Sequence, residues 1–93
     1  MAKKTVPFNQ SGAKKLLEDK PVVYKIQTES GKTNYVGSAK RGRVQERIQE
    51  HLDDGKIPGA KVQIQQMDSV AEAQKSEARI IARTQPKYNE QGK

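Results

Sequence analysis

Glu77 is a carboxylate on an otherwise apolar stripe. Val70, Ala73, Ile80 and Ile81 recur at helical spacing, and Glu77 falls seven residues after the first and four before the last. A buried carboxylate without a partner is strongly disfavoured. Glu77 therefore needs either a lysine or arginine against it or a divalent cation, for which a hard oxygen ligand is natural. A single carboxylate would leave most of the coordination shell to water and phosphate oxygens, which magnesium tolerates. A second group lies on another helical segment. Arg47 and His51 are four residues apart and flank a stripe of Val44, Ile48 and Leu52, so both should emerge at the edge of a sheet. Arg43 precedes Arg47 by four, a like-charge pair that is unfavourable unless an anion sits between the two. Glu46 and Glu50 are near enough to neutralise both arginines, which would make this only a solvated, charge-laced helix. A lone histidine is a poor metal site. His51 better suits a phosphate contact, a proton transfer or the orientation of another group.

The stretch from Val22 to Gly37 must help to position these groups. Val22-Val23-Tyr24-Lys25-Ile26-Gln27 is rich in β-branched residues, and Val22, Tyr24 and Ile26 share one strand face. Ser30-Gly31 marks a two-residue turn inside Glu29-Ser30-Gly31-Lys32, and a second strand runs from Thr33 to Gly37. That turn sets Ile26 opposite Tyr35 and Tyr24 opposite Gly37, which places both tyrosines and the glycine on one face. A glycine opposite a tyrosine leaves room for close approach to the backbone or the phenol. Taken alone, this is an ordinary hairpin with two half-buried tyrosines.

Length and composition narrow the classes. Ninety-three residues hold one domain. Leucine, isoleucine, valine and phenylalanine make up a little under a fifth of the chain, which with a net charge of +7 implies a thin core. The absence of cysteine excludes disulfides and thiolate metal sites. No apolar run has the length of a membrane span, and Met1-Ala2-Lys3-Lys4 lacks a signal-peptide core, so a cytoplasmic protein without membrane attachment is expected. A pI near 9.8 favours polyanionic partners, nucleic acid first.

Residues 1–10 read as a loose basic arm, followed by a short helix from Ser11 to Asp19 with Ser11 as its cap. Pro21 opens the hairpin, and Lys40-Arg41-Gly42 forms a basic loop after it. A helix is expected from Arg43 to Asp54, with Gly55 as its stop. Lys61 to Met67 alternates, with Val62 and Ile64 inward, as a third strand does. Ser69 and Glu72 form a capping box that opens a helix from Val70 to Arg83, ended by Pro86. The expected architecture is a small α/β (α+β) domain at 21–89, a mainly antiparallel three-stranded sheet flanked by helices. A basic arm and short helix precede it at 1–20, and a tail follows at 90–93.

In this order the segments resemble the GIY-YIG nuclease family. Its two strand motifs correspond to Val22-Val23-Tyr24 and Tyr35-Val36-Gly37, followed by Ser38-Ala39-Lys40 and by Arg47 and His51 one helical turn apart. Glu77 on a later helix and Pro86-Lys87-Tyr88-Asn89 complete the set, which spans 22 to 89. Two departures stand out. Val22-Val23 replaces Gly-Ile, and the interval from Gly37 to Arg47 is about two residues longer than the family's, around Arg41-Gly42-Arg43.

The resemblance implies a metal-dependent endonuclease that hydrolyses DNA by one-step attack of water, leaving 5′-phosphate and 3′-hydroxyl ends. It implies that Tyr24 polarises or deprotonates the water, as a phenolate stabilised by nearby cations. Tyr35 would shape the site or hydrogen-bond substrate, Arg47 would hold the phosphate, and His51 would assist. Glu77 would bind Mg2+ or Mn2+. Gly37, Ser38, Lys40, Arg41 and Arg43 would contact substrate, and Asn89 would tie the tail to the site or cap the helix exit. Two other readings remain open: a non-catalytic nucleic-acid-binding module, and a basic accessory protein docking on a larger complex. No recognition appendage is present, so targeting would come from DNA shape, a protein partner or a homodimer.

Overall fold

The chain forms one four-stranded antiparallel sheet in the order β1-β4-β2-β3, with helices on both faces. The structure is a computed structural model that describes residues 3–86 and 88. The strands are β1 (Lys3–Pro7), β2 (Val22–Gln27), β3 (Thr33–Ala39) and β4 (Lys61–Gln66). The helices are α1 (Gln10–Lys14), α2 (Val44–Asp54) and α3 (Val70–Thr84). Among the described residues no helix is long and apolar enough to cross a membrane.

Three strands were expected and four are present. The supposed loose arm is β1, which pairs antiparallel with β4 from Lys3↔Gln65 to Pro7↔Lys61. Without it β4 would be an edge with unpaired backbone groups. Its signal in the sequence is weak: among its described side chains only Val6 points into the core, while Lys4 and Thr5 are exposed. Helix α1 is also shorter than its apolar spacing suggested. Asn9, not Ser11, is its cap, accepting a 2.7 Å bond from the Gly12 amide.

Each sheet face carries its own core. Val22, Tyr24, Ile26, Val62 and Ile64 pack with Val6 under Ala13 and Leu16 of the α1 segment and Val44 and Ile48 of α2. On the other face Val23, Val36 and Met67 pack under Ala73, Ile80 and Ile81 of α3. Val70, expected on that stripe, is 37% exposed at the first turn of α3. Strand β3 lies at the sheet's edge.

The β2–β3 register is the expected one, Tyr24↔Gly37 and Ile26↔Tyr35, but the turn that produces it differs. Gly31 N–H donates to the Thr28 carbonyl at 3.0 Å, and Thr28 N–H to the Lys32 carbonyl at 2.9 Å, so the loop is longer than two residues. Gln27 then pairs with Thr33, and Asn34 is left over as a bulge that restores the register. Asn34 is buried and its amide donates to the Pro58 carbonyl at 2.7 Å, while its own carbonyl accepts from Tyr88 N–H at 3.0 Å. The bulge thereby anchors the α2–β4 loop and the chain after α3.

Helix α2 has no capping side chain of its own at Arg43. Glu18 supplies the missing acceptor, taking the Gln45 amide at 3.1 Å, and the Gln45 side chain returns bonds to the Leu16 and Lys14 carbonyls at 2.8 and 3.2 Å. The extra residues before α2 are absorbed by a turn closed by Arg43 N–H to the Lys40 carbonyl. Gly42 has φ +82°, and its amide donates to the Glu18 carbonyl.

If β1 is an integral strand, Val6→Ala should lower the unfolding free energy by about 1–3 kcal/mol. Urea titration followed by circular dichroism measures this; a loose arm would give no change.

Candidate active site

Tyr24 is completely buried on β2, and its ring lies across Gly37 of β3. A Cβ built on Gly37 would come within 2.5 Å of both the phenol Cζ and Oη. The room that the glycine was expected to leave for a ligand is therefore occupied by the tyrosine itself. This lets the hydroxyl reach across the edge strand toward α2, where it meets His51 Nε2 at 2.7 Å. Tyr35, two residues before Gly37, completes a cluster of three rings. Its ring centroid lies 4.9 Å from that of His51 and 6.2 Å from that of Tyr24.

The electrostatics of this cluster differ from the phenolate expectation. Burial pushes the Tyr24 phenol well above its ordinary pKa, with Tyr35 and Glu77 adding to the effect and Arg47 opposing it. Tyr35 is raised for the same reasons, burial first and then Glu77, with Arg47 again opposing. Both rings are therefore neutral phenols at rest. His51 is lowered, first by burial and then by the Arg47 guanidinium, against the smaller pull of Glu50 and Asp54. A neutral imidazole with its proton on Nδ1 can accept the Tyr24 hydroxyl through Nε2.

Glu77 approaches from the opposite face of the sheet. Its protein hydrogen-bond partner is Ser38 of β3, which donates its hydroxyl to Glu77 Oε1 at 2.8 Å. Glu77 is half-buried and pairs with no lysine or arginine among the described residues. Its charge still reaches around the edge strand to influence both Tyr24 and Tyr35. Among the described residues no three histidine, cysteine, aspartate or glutamate side chains converge on one point. One accessible carboxylate without a protein cation fits magnesium or manganese, which keep water and phosphate oxygens as ligands, and does not fit an all-protein cage.

Between the two helices opens a cleft of about 280 Å³, lined by Ser38, Ala39, Lys40, Arg43, Arg47, Val70 and Gln74. Of the residues singled out in the sequence, Tyr24, Tyr35, Gly37 and His51 come together in the ring cluster. Ser38, Lys40, Arg43 and Arg47 line the cleft. Arg41 is exposed on the adjoining turn and does not line it, and Asn89 lies outside the described residues. Arg43 pairs with Glu46, and Arg47 with Glu50 at 3.4 Å. These exposed pairs are weak and leave the guanidiniums free to exchange partners. Sequence reasoning did not find the Tyr24–His51 bond, the Ser38–Glu77 bond or the cleft residues Val70 and Gln74. Gln74 had a signal, one helical turn before Glu77. The two bonds had none, because they join residues 27 and 39 positions apart.

A scan against protein-family models and a search of curated proteins return no match. Solved structures do match. The GIY-YIG N-terminal endonuclease domain of UvrC from Thermotoga maritima, bound to magnesium as its catalytic divalent cation, aligns with a TM-score of 0.63 at 24% identity. The alignment covers 78% of this chain and 86% of that one. A tyrosine-to-phenylalanine point mutant of the same domain aligns over the same shares with a TM-score of 0.62 at 23% identity. The chain has the GIY-YIG fold, the fold of a nuclease domain.

Two outcomes follow from this geometry. Gly37→Ala should push the Tyr24 ring off its seat and break the bond to His51, with a loss of about 1–3 kcal/mol in urea unfolding; an unchanged midpoint would mean that the ring is not held there. His51 has a folded pKa below its ordinary 6.5, so the unfolded chain takes up the proton first as pH falls. Its contribution to stability should be complete above 6.5 and be lost as pH drops through the lower folded value. The urea midpoint should therefore fall on acidification, and fall less in His51→Gln.

Proposed function

We propose that this protein is a metal-dependent endonuclease that hydrolyses DNA phosphodiesters by direct attack of water. The observation that carries the reading is the 2.7 Å bond between Tyr24 Oη and a His51 whose pKa is lowered. A buried phenol is a poor base alone, because its own proton is held tightly. Coupled to a neutral imidazole, it can receive a proton while giving one up. The Tyr24 phenol is covered at rest, so substrate binding must open the edge enough for the attacking water to reach it. As that water attacks phosphorus, its proton passes to Tyr24 Oη and the phenol proton passes to His51 Nε2. The bond from phosphorus to the 3′-oxygen breaks, and that oxygen takes a proton from solvent. The products carry a 5′-phosphate and a 3′-hydroxyl.

Arg47, with Lys40 and Arg43 in the cleft, opposes the charge that grows on the phosphate oxygens, where fixed donors lower the barrier most. Glu77, oriented by Ser38, would hold Mg2+ or Mn2+. When bound, such an ion supplies charge stabilisation at the leaving oxygen. The magnesium-bound UvrC domain of the same fold supports both the cofactor and a nucleic-acid substrate. Targeting to particular sites is assigned to DNA shape, a protein partner or a homodimer.

Supercoiled, branched and single-stranded DNA, incubated with magnesium or manganese and then with chelator, should be cut only in the presence of metal. Tyr24→Phe should lower the single-turnover rate by about two to four orders of magnitude. The wild-type rate should fall on acidification as His51 charges and no longer accepts the proton. Glu77→Ala should abolish cleavage and leave DNA affinity nearly intact. Arg47→Ala should lower the rate at saturating DNA by roughly a hundredfold. If Arg47→Ala changes only the dissociation constant and wild type cuts nothing, the protein is a binding module.

A further inference from the structure

We propose that the outer face of α3 is a second nucleic-acid contact, separate from the cleft, in which Lys75, Arg79 and Arg83 take a sugar-phosphate backbone. The three side chains are spaced by four residues and are all exposed. They form one stripe on the side of the helix away from the Ala73 and Ile80 that pack on the sheet. At 1.5 Å per residue the stripe spans about 12 Å; a DNA strand presents one phosphate per about 3.4 Å of axis, so each cation has a phosphate within reach.

The contrast with α2 carries the argument. There each arginine has a glutamate three residues on and pairs with it. None of Lys75, Arg79 and Arg83 has an ion-pair partner among the described residues. The carboxylates of α3 are Glu72 and Glu77; Glu77 is turned to Ser38, and Glu72 pairs with none of the three. Like charges four apart weaken a helix, and solubility alone is served as well by mixed charge of the kind on α2. Interaction with the helix dipole accounts for Arg83 in the last turn but not for Lys75 or Arg79. At about 100° per residue Lys75, Arg79 and Arg83 lie about 100°, 140° and 180° around the helix from Gln74, which lines the cleft, so the stripe is a surface separate from the cleft.

The proposal rests on the nucleic-acid reading above for the nature of the polyanion, and not on any step of cleavage. Its test is the binding of a fluorescein-labelled DNA duplex in chelator across a sodium chloride series, by anisotropy. Lys75→Gln/Arg79→Gln/Arg83→Gln should weaken binding and make the slope of log K against log salt shallower by about three, with helical content unchanged. The charge-retaining Lys75→Arg/Arg79→Lys/Arg83→Lys should keep the wild-type slope. An unchanged slope in the glutamine variant, or equal losses in both variants, would overturn the stripe. So would a loss of binding to phosphatidylserine vesicles with DNA binding unaltered. Should wild type cut no DNA while the slope still falls, the nuclease reading fails and the stripe stands; normal cutting with an unchanged slope gives the reverse.

Discussion

Tyr24 buries a phenol completely, and a buried hydroxyl needs a partner. His51 is that partner, and meeting it constrains three separate parts of the chain. The residue opposite Tyr24 must lack a side chain, because the ring occupies the space a Cβ on Gly37 would fill. Helix α2 must arrive in the phase that points its last turn at β2, which the reciprocal bonds of Glu18 and Gln45 secure from the α1 side. The turn before α2 must also deliver the helix at the right place, and Gly42 at φ +82° with its amide on the Glu18 carbonyl fixes that turn. A displacement at any of these points would separate two groups that the proposed proton transfer couples.

The edge position of β3 lets side chains from opposite sheet faces approach one place, as the proposed reaction requires. Tyr24, Tyr35 and His51 belong to the α1/α2 face, whereas Ser38 and Glu77 belong to the α3 face. In the middle of a sheet these groups would be separated by paired backbone. At an edge the substrate can lie against the strand and be reached from both sides. The cleft between the helical layers, with Lys40, Arg43 and Arg47, opens beside it. The other edge is the short strand β1, with Lys4 and Thr5 exposed on it.

Charge is unevenly managed over this surface. On α2 the arginines nearest the cleft carry glutamate neighbours that moderate them at rest, while the stripe on α3 is left unpaired. A thin core tolerates this because the cost of each exposed like-charge contact is small beside that of a misplaced buried group.

Much of the site was legible in the sequence because it depends on local periodicity. Alternation in 22–27 and 33–37 puts Tyr24, Tyr35 and Gly37 on one face, and helical spacing joins Arg47 to His51 and flags Glu77 as a carboxylate out of place. Strand β1 was not legible, since a five-residue edge strand with one buried side chain among those described has no clear alternation to display. The hairpin register was read correctly from an incorrect turn: a longer loop and a bulge at Asn34 cancel, and only the pairing with Pro58 and Tyr88 makes that bulge worth keeping. The partners of the two central groups were beyond sequence reasoning altogether. Periodicity can say that Glu77 and a buried Tyr24 need something to bind, but the choice of Ser38 and His51 depends on how two helices are docked about one edge strand. Local preference carries no information across the 27 and 39 residues that separate these pairs; tertiary packing alone brings them within hydrogen-bond distance.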